Sequence, residues 1–138
     1  MTIDIRIGNA SLIESKTGSY TLIIEHDTHE PYTHGAKPLR NILKTTEEFH
    51  ARFANETGLK SFFYDEVNGI LRKSKTAIKL NPLHLEMLQN ARKIFKIEHS
   101  SLTQEQTLYS KILDWYECCI QRALRLERPA IHWCVPKS

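Results

Sequence analysis

The sequence lacks long apolar runs and has little glycine, proline or cysteine. Its 138 residues include five Gly, five Pro and three Cys, and apolar runs extend for only a few positions, as in residues 22–24. Such runs are too short to cross a bilayer, and the opening Met1-Thr2-Ile3-Asp4 has no apolar signal segment. An odd number of cysteines favours free thiols in a reducing compartment. We therefore expect a cytoplasmic protein with no membrane partner.

The sequence motifs of several enzyme classes are also absent. There is no Gly-rich phosphate loop, His-Glu-x-x-His, Cys-x-x-Cys or Gly-x-Ser-x-Gly. The net charge of +3 is only mildly basic, which makes duplex DNA an unlikely partner and is sufficient for one small anion. The 41% hydrophobic and 25% charged residues are average for a globular protein. The length predicts a single domain over residues 1–138.

The clearest helical pattern extends from Thr103 to Leu126. Thr103 and Gln106 have the spacing of a capping box, as do Ser101 and Gln104. Pro129 follows and ends the helix. Apolar residues recur every three or four positions, the spacing of one buried helix face: Tyr109, Ile112, Leu113, Tyr116, Cys119, Ile120, Ala123 and Leu124.

Three regions have strand patterns. Residues 3–14 alternate between apolar and polar, with an interruption predicted at Gly8-Asn9. Residues 20–25 follow a turn and complete a hairpin. Residues 130–135 alternate as in a last strand. Between them, residues 26–41 have little apolar content and are predicted to form a long loop.

The central region predicts two further helices. One begins with a capping box of Thr45 and Glu48 and ends at Gly58. The turn signal Asn68-Gly69 predicts a hairpin between residues 62–64 and 70–71, and a short strand follows at 77–80. Asn81-Pro82 begins a helix through about Ile97. Its core stripe is predicted to be His84, Met87, Leu88, Ala91, Ile94 and Phe95.

The segregation of strands from helices predicts an α+β fold. We expect a small, mainly antiparallel sheet packed by two or three helices, including one long C-terminal helix followed by a last strand. The long helix would lie across one face of the sheet.

Several blocks of the sequence resemble an uncharacterised family of small proteins from bacterial and phage genomes. These blocks are residues 3–10, 56–59, 62–66, 69–72, 80–85, 113–116, 123–124 and 127–131. The resemblance touches most of the chain but implies no activity and no catalytic residues. It implies a phage or mobile-element origin, which favours inhibitors and proteins that sequester ligands, including anti-defence proteins.

Two groups of residues could support metal or thiol chemistry. His26, His29 and His34 could bind zinc, but their spacing matches no common ligand pair and a polar surface loop explains them more simply. Cys118 and Cys119 diverge on the long helix, where Cys119 fits the core. Neither group is assigned as a site, and no catalytic residue or cofactor is predicted.

Asp65 and Glu66, with lysines downstream, are the residue types of a metal-dependent nuclease. The turn at Asn68-Gly69 explains the two acids more simply, since acids are common in turns. An enzyme, either a nuclease or a thiol-dependent enzyme, is therefore the third-ranked class.

The predicted ligand site is a basic and aromatic pocket. Guanidinium groups make bidentate contacts to anions, and an aromatic ring can stack on a base. The residues of this pocket are Arg72, Lys73, Arg122, Arg125, Arg128 and Trp133. Helix-end arginines also have a simpler role, because they complement the helix dipole. Trp115 is predicted at an interface with another copy or another protein.

These observations favour a binding protein without catalytic activity. The leading hypothesis is capture of a small anionic, nucleotide-like ligand. The alternative is a protein–protein inhibitor or immunity factor that blocks a toxin or a host defence enzyme.

Overall fold

Strand β1 (Thr2–Glu14) is the longest strand of the computed structural model. The structure describes residues 2–14, 20–25, 32–34, 37–39, 42–71, 77–99 and 101–134, with side chains described for 2–10, 42–71, 77–99 and 101–133. Ile3, Ile5 and Ile7 of β1 are fully buried. Because strand side chains alternate between faces, these isoleucines define the inner face of the sheet.

Four other strands complete an antiparallel sheet around β1. On one edge, β2 (Tyr20–Glu25) pairs with residues 9–14 of β1, and β5 (Ile42–Thr46) pairs with residues 2–6. On the other edge, β7 (Pro129–Cys134) pairs with residues 4–9. Strand β6 (Ile78–Lys79) pairs with β7. Strands β3 (Tyr32–His34) and β4 (Lys37–Leu39) form a separate antiparallel pair.

The described residues contain four helices. They are α1 (Glu47–Glu56), α2 (Lys60–Tyr64), α3 (Pro82–Glu98) and α4 (Gln104–Ala123). The apolar face of α4 packs against β1 and β7. Leu113, Tyr116 and Ile120 of this face are fully buried. The core therefore lies between α4 and the inner face of the sheet.

The α+β prediction is confirmed, as are the N-terminal ends of the long helix and of α3. The long helix ends at Ala123, three residues before the predicted Leu126. Thr103 accepts a hydrogen bond from the Gln106 backbone N–H at 3.1 Å, and the Gln106 side chain accepts one from the Thr103 N–H at 3.0 Å. Asn81 begins α3 in the same way, with His84 as its capping partner. Gly58 has a φ of +72°, as a left-handed helix end requires.

Four local predictions are wrong. Strand β1 continues through Gly8-Asn9, because both residues pair with β7. The N-cap of α1 is Thr46 instead of Thr45, which lies in β5. The predicted loop at 26–41 contains β3 and β4.

The fourth error concerns residues 62–64, which belong to helix α2 instead of a strand. The following turn is held by Asp65, whose Oδ1 accepts the backbone N–H groups of Val67 and Asn68 at 2.8 and 2.7 Å. A side chain at Gly69 would place a Cβ 2.5 Å from the backbone of Asp65. The Asn-Gly signal therefore marks a turn after a helix, which also raises the helix count from the predicted two or three to four.

The predicted core stripe of α3 is only partly correct. Leu88 and Phe95 are buried, whereas Met87 is 43% exposed and Ile94 is 55% exposed. Helix α3 thus has apolar residues on two faces. Within the described residues, no helix is long and apolar enough to span a membrane.

We expect Leu113→Ala and Ile120→Ala each to lower the free energy of unfolding by about 2–5 kcal/mol, because each leaves a cavity in the core. Urea unfolding followed by circular dichroism measures the effect. The control is Gln121→Ala on the exposed side of α4, which should change stability by about 0.5 kcal/mol or less. Equal midpoints for the three variants would contradict the packing of α4 against the sheet.

Candidate anion-binding site

Several residues of the predicted sites lie outside the described part of the structure. Arg72 and Lys73 belong to this group, as do His26 and His29. His34 lies on β3, but its side chain is outside the described set. Within the described residues, no group of three or more His, Cys, Asp or Glu side chains could hold a metal ion. The zinc hypothesis for the histidine segment therefore stays a hypothesis.

The three predicted arginines near the end of α4 have different surroundings. Arg122 is half-buried in the last turn of α4, and Arg125 is exposed in the turn that follows. Arg128 extends the ladder between β1 and β7, because its carbonyl accepts the Ala10 N–H at 2.9 Å. Its own N–H donates to Asn9 Oδ1 at 2.8 Å. Of these three residues, Arg128 alone has a position in the sheet ladder.

The two tryptophans are buried in the core. Trp133 is 7% exposed and lies opposite Ile5 on the inner face, where its ring contacts Tyr64 with centroids 6.0 Å apart. Because successive residues along β7 point to opposite faces, Trp133 and Arg128, five positions apart, cannot share a pocket. Trp115 is 8% exposed and packs edge-on against Tyr116. Neither ring has the exposed surface that was predicted for a ligand or an interface.

The outer face of the sheet concentrates basic side chains. In β1 this face carries Asp4, Arg6, Gly8 and Ala10, and the register places His132 opposite Arg6 and Ala130 opposite Gly8. Lys79 of β6 lies opposite Ala130, and Arg128 continues the register opposite Ala10. We call Arg6, His132, Lys79 and Arg128 the basic arc.

The spacing of the strands brings the basic arc together around a floor of small residues. Directly opposed side chains have Cβ atoms about 5 Å apart, and diagonal neighbours are about 7–8 Å apart. Lys79 is diagonal to both Arg128 and His132, which in turn faces Arg6. The floor consists of Gly8, Ala10 and Ala130, which are buried. A ligand would therefore contact the charged ends of the long side chains and not the sheet backbone.

Arg6 is the member of the basic arc with a buried donor that lacks a partner among the described residues. Its Nε is buried and has no hydrogen-bond partner among the described residues. Its NH2 group lies 3.9 Å from Asp4, and 35% of its side-chain surface is exposed. A buried donor without a partner costs about 1–3 kcal/mol, so an acceptor at Arg6 would stabilise the structure.

The charges of this face favour an anion. Arg6, Lys79 and Arg128 are positively charged at neutral pH, and Lys44 of β5 lies opposite Asp4. Among the described side chains that point to the outer face at β1 positions 4–10 and at the positions paired with them, Asp4 is the single carboxylate. The guanidinium of Arg128 is 3.5 Å from Glu127 on an exposed turn, a contact that contributes little in water. Charge-assisted hydrogen bonds to an anion are the interaction that such side chains can offer.

A second polar cluster lies within the core. His50 of α1 is fully buried, and its ring Nε2 is 2.7 Å from the hydroxyl of Tyr116. Its Nδ1 is hydrogen-bonded to the hydroxyl of Tyr64. One ring nitrogen of a neutral imidazole donates and the other accepts, so one tyrosine accepts from His50 and the other donates to it.

Burial sets the protonation of this cluster. It lowers the pKa of His50 to about 3, and it raises the pKa of Tyr116 and of Tyr64. At neutral pH all three groups are therefore uncharged. With no exposed surface and both ring nitrogens hydrogen-bonded to tyrosine hydroxyls, His50 ties α1 to α2 and α4.

The described thiols and the Asp65 carboxylate give no support to the enzyme hypothesis. Burial raises the pKa of Cys119, which is fully buried. Burial, followed by the charges of Glu117 and Asp114, raises the pKa of Cys118. Both effects disfavour the thiolate that a nucleophile requires. Asp65 is engaged in the turn after α2.

Sequence reasoning missed Arg6, Lys79, His132 and His50. The alternation of β1 and β7 marks Arg6 and His132 as outward-facing, but only the pairing of the two strands shows that they are opposite each other. His50 shares the helical spacing of Phe53, Ala54 and Thr57 on the buried face of α1. That spacing is the available signal for a buried histidine.

We expect the free energy of unfolding to fall as the pH is lowered from 7, because His50 is buried in its neutral form. Its pKa is about 3 in the folded protein and 6.5 ordinarily, so the unfolded chain binds more protons between these values. The full stability is present above pH 6.5, and part of it is lost progressively as the pH falls towards 3. The loss at pH 5 should be about 2 kcal/mol relative to pH 7.

Urea unfolding at several pH values tests this expectation. His50→Gln should lower the slope of stability against pH between 5 and 7, even where it also destabilises the protein. Gln121→Ala should keep the original slope. An unchanged slope in His50→Gln would show that His50 is not held neutral by burial.

Comparisons with protein-family models, curated proteins and solved structures find no match to this chain.

Proposed function

We propose that this protein binds a small di-anionic, phosphate-bearing ligand of the nucleotide type at the basic arc, without converting it. The observation that supports the proposal most directly is the buried Nε of Arg6, which has no partner among the described residues. A phosphate oxygen is a strong acceptor that would satisfy this donor. His132 lies opposite Arg6 and Lys79 is diagonal to His132, which supports further contacts to oxygens of the same group.

The proposed ligand is recognised through its phosphate and not through a stacked base. Trp133, the aromatic residue predicted for stacking, lies on the opposite face of β7. The ligand class is therefore defined by charge and by the geometry of its oxygens. A cytoplasmic location is part of the proposal, because phosphorylated nucleotides are abundant there. Cys118 and Cys119 are present as thiols, which is compatible with that location.

Calorimetry at low salt against phosphate, pyrophosphate and mono-, di- and cyclic nucleotides tests the proposal. We expect a di-anion to bind and its affinity to fall as salt rises, because exposed charges are screened. Arg6→Gln should weaken binding by roughly 10- to 100-fold, corresponding to about 1.5–3 kcal/mol for a hydrogen bond to a charged group. Arg128→Gln should weaken it in the same direction.

Two matched variants sharpen the experiment. Arg6→Lys keeps the charge but removes Nε and the guanidinium fork, so it should still weaken binding by roughly tenfold. Arg125→Gln removes an equal charge from the turn outside the ladder, and it should leave affinity within about twofold. Thermal melting of each variant shows whether it remains folded.

Three results would contradict the proposal. Equal effects of Arg125→Gln and Arg128→Gln would indicate general charge attraction. Recovery of a cleaved ligand would indicate an enzyme. If no anion binds at low salt while a host protein co-purifies through the exposed face of α3, the inhibitor hypothesis takes its place.

A further inference from the structure

Helix α3 carries a second apolar stripe that faces solvent. Leu83 is 59% exposed, Met87 43%, Ile94 55% and Ile97 76%, and they are four of the seven large exposed hydrophobic residues in the described part of the chain. With the exposed Asn90, their spacing is four, three, four and three residues. This is the heptad spacing of a helix that packs against another helix.

The opposite face of α3 is fixed to the core. Leu88 and Phe95 are buried, and Arg92 bonds to both Asp114 and Glu117 of α4, at 2.6 and 2.7 Å. The helix cannot rotate to bury the second stripe without breaking these contacts. The stripe is therefore presented on a preformed helix, which lowers the entropy cost of binding.

The stripe also forms one wall of a groove. Met87, Ile94 and Ala91 of α3 face the turn between α1 and α2 around Gly58 and Leu59, and the groove has a volume of about 600 Å³. An apolar groove beside an exposed helix stripe is a surface that receives a helix.

The residue order along α3 is self-complementary when a second copy runs antiparallel to it. With a two-fold axis near Asn90, Leu83 lies near the partner's Ile97 and Met87 lies near the partner's Ile94. Asn90 then meets its own copy, and two amides can satisfy each other because each has donors and an acceptor.

The charged residues beside the stripe are also complementary in this antiparallel register. Glu86 and Lys93 are both exposed and lie on one side of it. About the same axis, Glu86 faces the partner's Lys93 and Lys93 faces the partner's Glu86. In a parallel pair Lys93 would face the partner's Glu98, but Glu86 would face the uncharged Ala91, so the antiparallel arrangement is the one that engages both residues.

We propose that the exposed stripe of α3 binds a second copy of this chain, antiparallel and about a two-fold axis near Asn90. The contact is isologous, because the same patch is used by both subunits. It leaves the basic arc of each subunit uncovered, since that arc lies on the outer face of the sheet and α3 packs on α4. The inference is therefore independent of the proposed ligand.

Light scattering and native mass spectrometry of the purified chain test the contact. The expected mass is twice the 16.1 kDa of one chain, and Ile94→Glu should shift it to one chain because it buries two uncompensated carboxylates. The control is Val67→Glu, at a residue that is 73% exposed in the turn after α2, which should remain dimeric. A monomer at high concentration, or a dimer in Ile94→Glu, would overturn the proposal.

Charge reversal tests the register. Glu86→Lys or Lys93→Glu alone places like charges together twice across the axis, and each should weaken the dimer by roughly tenfold or more at low salt. The double variant restores both pairs and should recover the original dissociation constant to within about threefold. Failure of the double variant to recover would refute this antiparallel register. A monomeric chain whose α3 instead retains a different protein, lost in Ile94→Glu, would refute the second copy as the occupant.

Discussion

Strand β1 is hydrogen-bonded along both edges, and this pairing fixes the face of the sheet to which each of its side chains points. Ile3, Ile5 and Ile7 are turned towards α4 and are fully buried. The alternate residues must then point to the other side, where Asp4 and Arg6 are brought next to β5 and β7. The core and the proposed ligand site therefore both follow from the alternation of side chains between the two faces of β1.

The buried polar cluster places a different demand on the core. His50 occupies a position on α1 that a phenylalanine could fill, and it is surrounded by Phe53, Phe63 and Tyr116 at ring distances of 5.0–5.9 Å. Two tyrosine hydroxyls satisfy its two nitrogens. Each hydroxyl must stay within hydrogen-bond distance of its ring nitrogen, so the network fixes α1, α2 and α4 relative to one another more specifically than apolar contacts alone.

Local chemistry in the sequence was sufficient to predict much of the fold. The capping pairs of α3 and α4, Gly58 and the alternation of β1 depend on residues only a few positions apart. Helix α2 was missed because Phe62, Phe63 and Tyr64 have high strand propensity, while tertiary packing of Phe62 and Phe63 favours the helix. The two apolar faces of α3 could not be separated by period alone, since both have helical spacing.

The candidate site was beyond local reasoning for a physical reason. Arg6 and Arg128 are at opposite ends of the chain, and only the pairing of β1 with β7 brings their rows together. The sequence predicted that Arg128 lies near the end of the long helix, and it does follow α4 closely along the chain. The sequence could not show that Trp133, five residues later, would face the other way.

The shared edge of β1 has a consequence for how this chain can change. Strand β2 ends opposite Asn9 and β5 begins opposite Arg6, so the chain leaves and rejoins the sheet within about 10 Å. Together β2 and β5 act as one long hairpin arm, interrupted by residues 26–41. The free energy of closing such an interruption rises only slowly with its length. A change in the length of this segment therefore costs little closure free energy, while the register of β2 and β5 is set separately, by the pairing of each strand with β1.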